Sequence, residues 1–152
     1  SSTSKCVILS KSSQPNHDVD YLYGQVSIDS AFVDWSGNCG NLSTAAGAFA
    51  IHAGLVDAER IPENGVCVVR IWQANINKTI IAHVPVTNGQ VQETGDFELD
   101  GVTFAAAEVA LEFKQQIEPP PPSIPRATPT TTASARASAS VGGATSITRA
   151  TA

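Results

Sequence analysis

One thiol of this chain, Cys39, stands in a glycine-rich turn, Ser36-Gly37-Asn38-Cys39-Gly40-Asn41, that opens an apolar run with helical spacing. The first N–H groups of a helix have no intrahelical partner, and glycines leave them unshielded, so such a turn can take a carboxylate or phosphate. A thiol at that point can act as acid, base or nucleophile. A free cysteine is also among the commonest small buried residues, and the local sequence leaves both readings of Cys39 open. Lys5 follows Ser4 at the start of a strand-like run. There it could reach a cleft at a sheet edge, or remain a solvated edge charge.

These residues need elements to hold them. From Asn41 to about Val56 the residues Leu42, Ala45, Ala46, Phe49, Ala50 and Ala53 recur at the i, i+3, i+4 spacing of one helical face. No charge interrupts that run, which predicts a central helix covered on nearly all sides, with Gly54 as its stop. Strands are expected at Lys5 to Ser10, Tyr21 to Ile28, Val66 to Ala74, Thr79 to Val86 and Glu108 to Phe113. Asn75-Ile76-Asn77-Lys78 reads as the turn of a hairpin, and Gly89 and Gly95 punctuate further short strands.

The 152 residues are 42% hydrophobic and 15% charged, as expected of one globular domain. Residues 1–118 hold all fourteen acidic residues against six basic ones, a net charge of −8, and the remainder holds three arginines. An acidic domain argues against a nucleic-acid surface. No run approaches the roughly 18 apolar residues of a membrane span, and the start lacks a signal-peptide pattern. Three cysteines without CxxC spacing, Cys6, Cys39 and Cys67, fit reduced thiols in an intracellular compartment, the cytoplasm first and a mitochondrion as the alternative. Cys6 and Cys67 sit in strand-like runs and read as core.

Beyond Lys114 the composition changes abruptly to Pro, Ala, Ser, Thr and Arg, with too few large apolar residues to offset the entropy of folding. Residues 118–152 are therefore expected to be a disordered tail, a natural linker or, as the abruptness favours, a gene read in the wrong frame. The chain starts almost at once on a strand and contains no methionine, which reads as a fragment.

Other chemistries find little support. The Cys39 turn lacks the Gly-Lys-Ser/Thr ending of a phosphate loop, and neither GxGxxG nor Gly-x-Ser-x-Gly occurs. His52 has no second ligand at zinc spacing and reads as a core histidine, whereas His17 and His83 read as loop and strand residues. No metal site is expected. The sequons Asn41-Leu42-Ser43 and Asn77-Lys78-Thr79 are read as chance, the first because it would lie in the buried helix.

Three stretches, Asp18 to Ser27, Phe32 to Asn41, and Val69 to Asn75 with Thr79 to Pro85, closely resemble the PrpF family over about residues 1–113. The resemblance implies an α+β fold of the diaminopimelate-epimerase kind, a mostly antiparallel sheet wrapped around a central helix at about 41–55. It places a partial first lobe at residues 1–117. It also implies that Lys5, in Thr3-Ser4-Lys5, and Cys39 are the acid/base pair, with Ser4, Ser36, Gly37, Asn38, Gly40 and Asn41 around a substrate carboxylate. The family's cleft lies between two lobes, so the absence of a second lobe predicts a piece that is incompetent alone.

The implied reaction is cofactor-free isomerisation of a small unsaturated tricarboxylate, cis-trans or by double-bond shift. A base removes a methylene proton to give a dienolate, and reprotonation gives the isomer. Lys5 would be the base, a role that requires a neutral amine and hence desolvation, and Cys39 would return or relay the proton. The alternatives are a truncated remnant that at most binds a carboxylate at the turn, and a two-cysteine racemase, which Lys5 in its motif argues against. The expected partner is a small polycarboxylate, with no nucleic acid, membrane or cofactor, and the sequence carries no signal for oligomeric state.

Overall fold

The computed structural model describes residues 4–114 and the backbone of residues 145–151. Among the described residues eight strands form one sheet: β1 (Lys5–Lys11), β2 (Val19–Val26), β3 (Val33–Asp34), β4 (Asn64–Gln73), β5 (Lys78–Thr87), β6 (Gln90–Val91), β7 (Glu108–Lys114) and β8 (Thr145–Thr151). Their order is β1-β2-β4-β5-β7-β8, with β3 beside β2 and β6 beside β5. Every pairing is antiparallel except β2 with β4. That parallel pair demands a crossover, and the α-helix α1 (Gly40–His52) lies on it. The architecture is α+β, as expected.

Alternation along the strands builds the core. Cys67, Val69, Ile71 and Gln73 of β4 face inward with Ile80, Ala82, Val84 and Val86 of β5, and all are buried. Val19, Tyr21 and Tyr23 continue this layer from β2, and Val109 and Leu111 from β7. The helix lies on it. The β4–β5 turn carries Asn77 at φ 51°, and Asn88-Gly89, at φ 53° and 72°, makes the two-residue connection of β5 to β6.

The helix is where expectation and structure part. It ends at His52 and is closed by the expected Gly54, at φ 68°, with Gly54 N–H on the Ile51 carbonyl and Leu55 N–H on that of Ala50. Its buried face is Ser43, Thr44, Ala46, Gly47, Ala50 and Ile51, whereas Ala45 and Phe49, expected inside, are exposed. The cause is close approach: a Cβ on Gly47 would lie 2.7 Å from the Ala82 Cβ, so only small residues fit against β5 and the bulky Phe49 turns out. His52 and Asn41, expected to be buried, are likewise exposed.

Within the stretch expected to be a disordered tail, residues 145–151 pair with β7 from Glu108↔Thr151 to Lys114↔Thr145. Thr145, Ile147, Thr148 and Thr151 are β-branched, and β7 offers them an unpaired edge. The rest of the expected tail, residues 118–144 and 152, lies outside the described residues.

Candidate active site

Cys39 is the N-cap of α1, with extended backbone (φ −130°, ψ 107°) and no side-chain bond to the first-turn N–H groups. It is buried, and its carbonyl accepts from the Tyr21 hydroxyl (3.2 Å) and the Ser43 hydroxyl (3.0 Å). Burial pushes the Tyr21 phenol up to about 12, so it remains a donor at neutral pH. The cysteine's main chain is thus held from the sheet side and from within the helix.

The thiol meets Lys5. Its Nζ lies 3.9 Å from Cys39 Sγ, the one contact that joins the two residues 34 positions apart. Lys5 opens β1 and is exposed. The strand end beneath it is anchored through Ser4, whose carbonyl accepts from Val26 N–H (2.9 Å) and from Gln25 Nε2 (2.9 Å). The Gln25 oxygen in turn receives the Tyr23 hydroxyl at 2.6 Å. Thr3 of the motif lies outside the described residues.

In front of Cys39 the helix end is open. No acidic residue occupies the first turn, and a Cβ built on Gly40 would meet nothing within 4 Å. Gly40 also has no positive φ, so neither packing nor backbone geometry calls for glycine there. What its bareness provides is access to the N–H groups of the first turn. Gly37 differs: a Cβ there would press the Tyr23 ring at 3.3 Å.

The preceding turn is tied down. Ser36 gives its amide (2.9 Å) and hydroxyl (2.7 Å) to Asp34, holding that carboxyl below the usual range, so Ser36 is engaged by the protein rather than free for a ligand. Asn38 receives Gln73 Nε2 at 3.2 Å, and Asn75 Nδ2 binds the Trp35 carbonyl at 2.6 Å. Of the residues picked from the sequence, Lys5 and Cys39 meet at the start of α1, Asn38, Gly40 and Asn41 flank Cys39 in the chain, Ser36 and Gly37 lie in the turn before it, and Ser4 precedes Lys5 with its carbonyl on β2. Tyr21, Gln73 and Asn75 were missed. Gln73 could have been found, because it falls on the inward parity of β4 with Cys67, Val69 and Ile71, and a buried amide demands partners.

An amine and a thiol in contact can pass a proton, and an uncapped helix end beside them can hold an anion. Among the described residues no three His, Cys, Asp or Glu are grouped to hold a metal ion.

These features define a class: a one-helix α+β lobe carrying a lysine–cysteine pair at the helix N-terminus. The chain belongs to the PrpF family, whose profile, described as "PrpF protein", matches residues 1–148. A 2-methyl-aconitate isomerase of Cupriavidus necator is 83% identical over 113 residues, 74% of this chain and 28% of that protein. The 4-oxalomesaconate tautomerase of Pseudomonas putida is 41% identical over 111 residues, 73% of this chain and 30% of that protein. A crystal structure of methylitaconate-delta-isomerase superposes with a TM-score of 0.65 at 38% identity, covering 72% of this chain and 27% of that one. The chain thus spans less than a third of the length of these relatives.

Proposed function

We propose that this chain carries the acid/base residues of a cofactor-independent isomerase of small unsaturated polycarboxylates, of the aconitate or 2-methylaconitate kind. The observation that carries the reading is the Lys5–Cys39 contact of 3.9 Å at an uncapped helix N-terminus. Lys5 takes a proton from the methylene beside the double bond. The electron pair moves through the double bond into the carboxylate conjugated at its far end, giving a dienolate in which the former double bond is single and can turn. Cys39 returns or relays the proton, and the N–H groups of Gly40 and Asn41 with the Asn38 amide hold the carboxylate on which charge grows. Return at a different carbon would shift the double bond instead. The names of the relatives support this substrate class.

All the assigned residues fall in the lobe we place at residues 1–117. A cytoplasmic location belongs to the same reading, since Cys6, Cys39 and Cys67 are all free thiols. Among the described residues no helix is long and apolar enough to cross a membrane.

One observation favours a second reading, a carboxylate-binding remnant: Lys5 is exposed, so the described residues do not close over its amine or exclude water from it. Proton NMR of the 152-residue chain with cis-aconitate in D₂O separates the two. Deuterium entering the methylene, and falling by about 10²- to 10⁴-fold in Lys5→Ala, supports the isomerase. Exchange that persists in Lys5→Ala removes Lys5 as the base, and no exchange with binding intact selects the remnant.

A further inference from the structure

The β4–β5 hairpin holds two amides that the proton transfer does not use, and the polarity of both is dictated by the backbone. A main-chain N–H can only donate, so the Asn75 atom 2.8 Å from Tyr23 N is the oxygen. Its nitrogen then faces the carbonyls of Tyr23 (2.8 Å) and Trp35 (2.6 Å), which can only accept. Asn75 Oδ1 also receives Gln73 at 3.1 Å, so Gln73 must present its nitrogen there while its oxygen accepts Ile76 N–H at 3.2 Å. Gln73 is fully buried and has one N–H left. That hydrogen goes to Asn38 at 3.2 Å, and the Asn38 atom it meets must therefore be the oxygen.

The far side of the Asn38 amide is then its NH₂ group. Asn38 is exposed, immediately before Cys39. The two ends of an asparagine amide have nearly the same shape and opposite hydrogen-bonding character, so an unrestrained Asn38 would offer a carboxylate either a donor or a repelling lone pair. We propose that Gln73 is a positioning residue: it fixes the polarity of the Asn38 amide so that a donor, not an acceptor, faces the carboxylate at the mouth of α1. The inference rests on the carboxylate-binding reading of that site and adds to it a specificity device read from the sheet. Asn75 sets the sense of the relay, because it takes over the edge of β2 where pairing with β4 stops at Tyr21↔Gln73 and pairing with β3 has not begun at Gln25↔Asp34.

The test uses the ¹⁵N-labelled 152-residue chain and tricarballylate, a saturated tricarboxylate that cannot isomerise. Water-exchange rates of the side-chain amide protons report polarity without any ligand. The Gln73 NH₂ should be protected and the Asn38 NH₂ should exchange freely; a protected Asn38 NH₂ overturns the proposal. In Gln73→Glu the ionised side chain can only accept, so at a pH where it is ionised Asn38 should turn its NH₂ inward and become protected, with tricarballylate binding weakened at least about tenfold. A merely structural role would not reverse the exchange pattern. Should Gln73→Glu not fold, Asn38→Asp at the exposed position keeps Gln73 satisfied and faces the ligand with an anionic acceptor, and it should weaken binding by a similar factor. Wild-type binding retained in Asn38→Asp overturns the proposal. The predicted exchange pattern with no tricarballylate binding by the wild type supports the amide relay and overturns the carboxylate reading instead.

Discussion

The two ends of α1 differ in the polar groups they leave free. At the C-terminal end a cavity of about 930 Å³ lies between the helix and the β5–β6 hairpin, lined among others by Ile51, His52, Ile61, Thr87, Val91 and Glu93. The last carbonyls there are already taken by Gly54 and Leu55, and the negative end of the helix dipole repels carboxylates. At the N-terminal end the first-turn N–H groups are uncapped and the dipole has the opposite sense. Cys39 and Asn38 are each held by side chains of the sheet, Tyr21 and Gln73. Volume alone does not make a site; what distinguishes the N-terminal end is polar groups fixed from behind and left free in front.

The sharpest way to break that contrast is Cys39→Ser. Serine is a favoured N-cap that can accept a first-turn N–H, which offsets the lost burial of sulfur, so stability should change by less than about 1 kcal/mol. Proton exchange on cis-aconitate should fall at least about 100-fold, because the thiol beside Lys5 is gone. Thermal unfolding and the D₂O exchange assay read the two effects separately. Loss of stability without loss of exchange would reduce Cys39 to a packing residue.

The support behind Cys39 can be titrated. Burial raises the Tyr21 phenol from its ordinary value of 10 to about 12. Below pH 10 folded and unfolded chains both keep the proton, and the associated stability is complete. Between about pH 10 and 12 the unfolded chain ionises first, so stability falls, in all by roughly 2–3 kcal/mol. Tyr21→Phe should flatten this alkaline loss while costing about 1 kcal/mol at neutral pH for the bond to the Cys39 carbonyl. Urea midpoints across pH 8 to 12 for the two proteins measure both.

The seat of the helix on the sheet decides the height of both ends. A Cβ on Gly47 would sit 2.7 Å from the Ala82 Cβ and 3.0 Å from a Val84 methyl, both on β5, where backbone-anchored atoms cannot swing away. Gly47→Ala therefore loses more through overpacking than it gains in helix propensity, and a net destabilisation of about 1–3 kcal/mol is expected by chemical unfolding. A neutral result would mean that the helix rides more loosely over β5, and the fixed position of Cys39 would lose its support.

Strands were legible in the sequence because alternation is a local signal: β1, β4, β5 and β7 fall within about two residues of their expected bounds, and β2 is shifted by two. The end of the helix was legible in Gly54, which marks its closure. Its buried face was misread because hydrophobicity favours Phe49, while the structure selects for size and buries Ser43 and Gly47 against β5. Lys5 and Cys39 were brought together by family resemblance and not by spacing, since 34 residues separate them. The relay through Gln73 and Asn75 depends on a hairpin reaching a turn 35 or more residues away, and only the inward parity of Gln73 hinted at it. The β8 strand was hidden by a composition that reads as disorder.

The smallest expected effect is also the one that most directly tests the contrast between the helix ends. His52 is exposed at the rim of the cavity at the C-terminal end, and among the described residues no hydrogen bond or ion pair engages its ring. It stands in the last turn, where its protonated form would favour the helix dipole by a few tenths of a kcal/mol. His52→Ala should therefore change stability by no more than about 0.5 kcal/mol and leave cis-aconitate exchange within twofold. A large loss of exchange would move the chemistry to the opposite end of α1, because no route through a well-packed helix of four turns lets an exposed imidazole reach a proton held between Lys5 and Cys39.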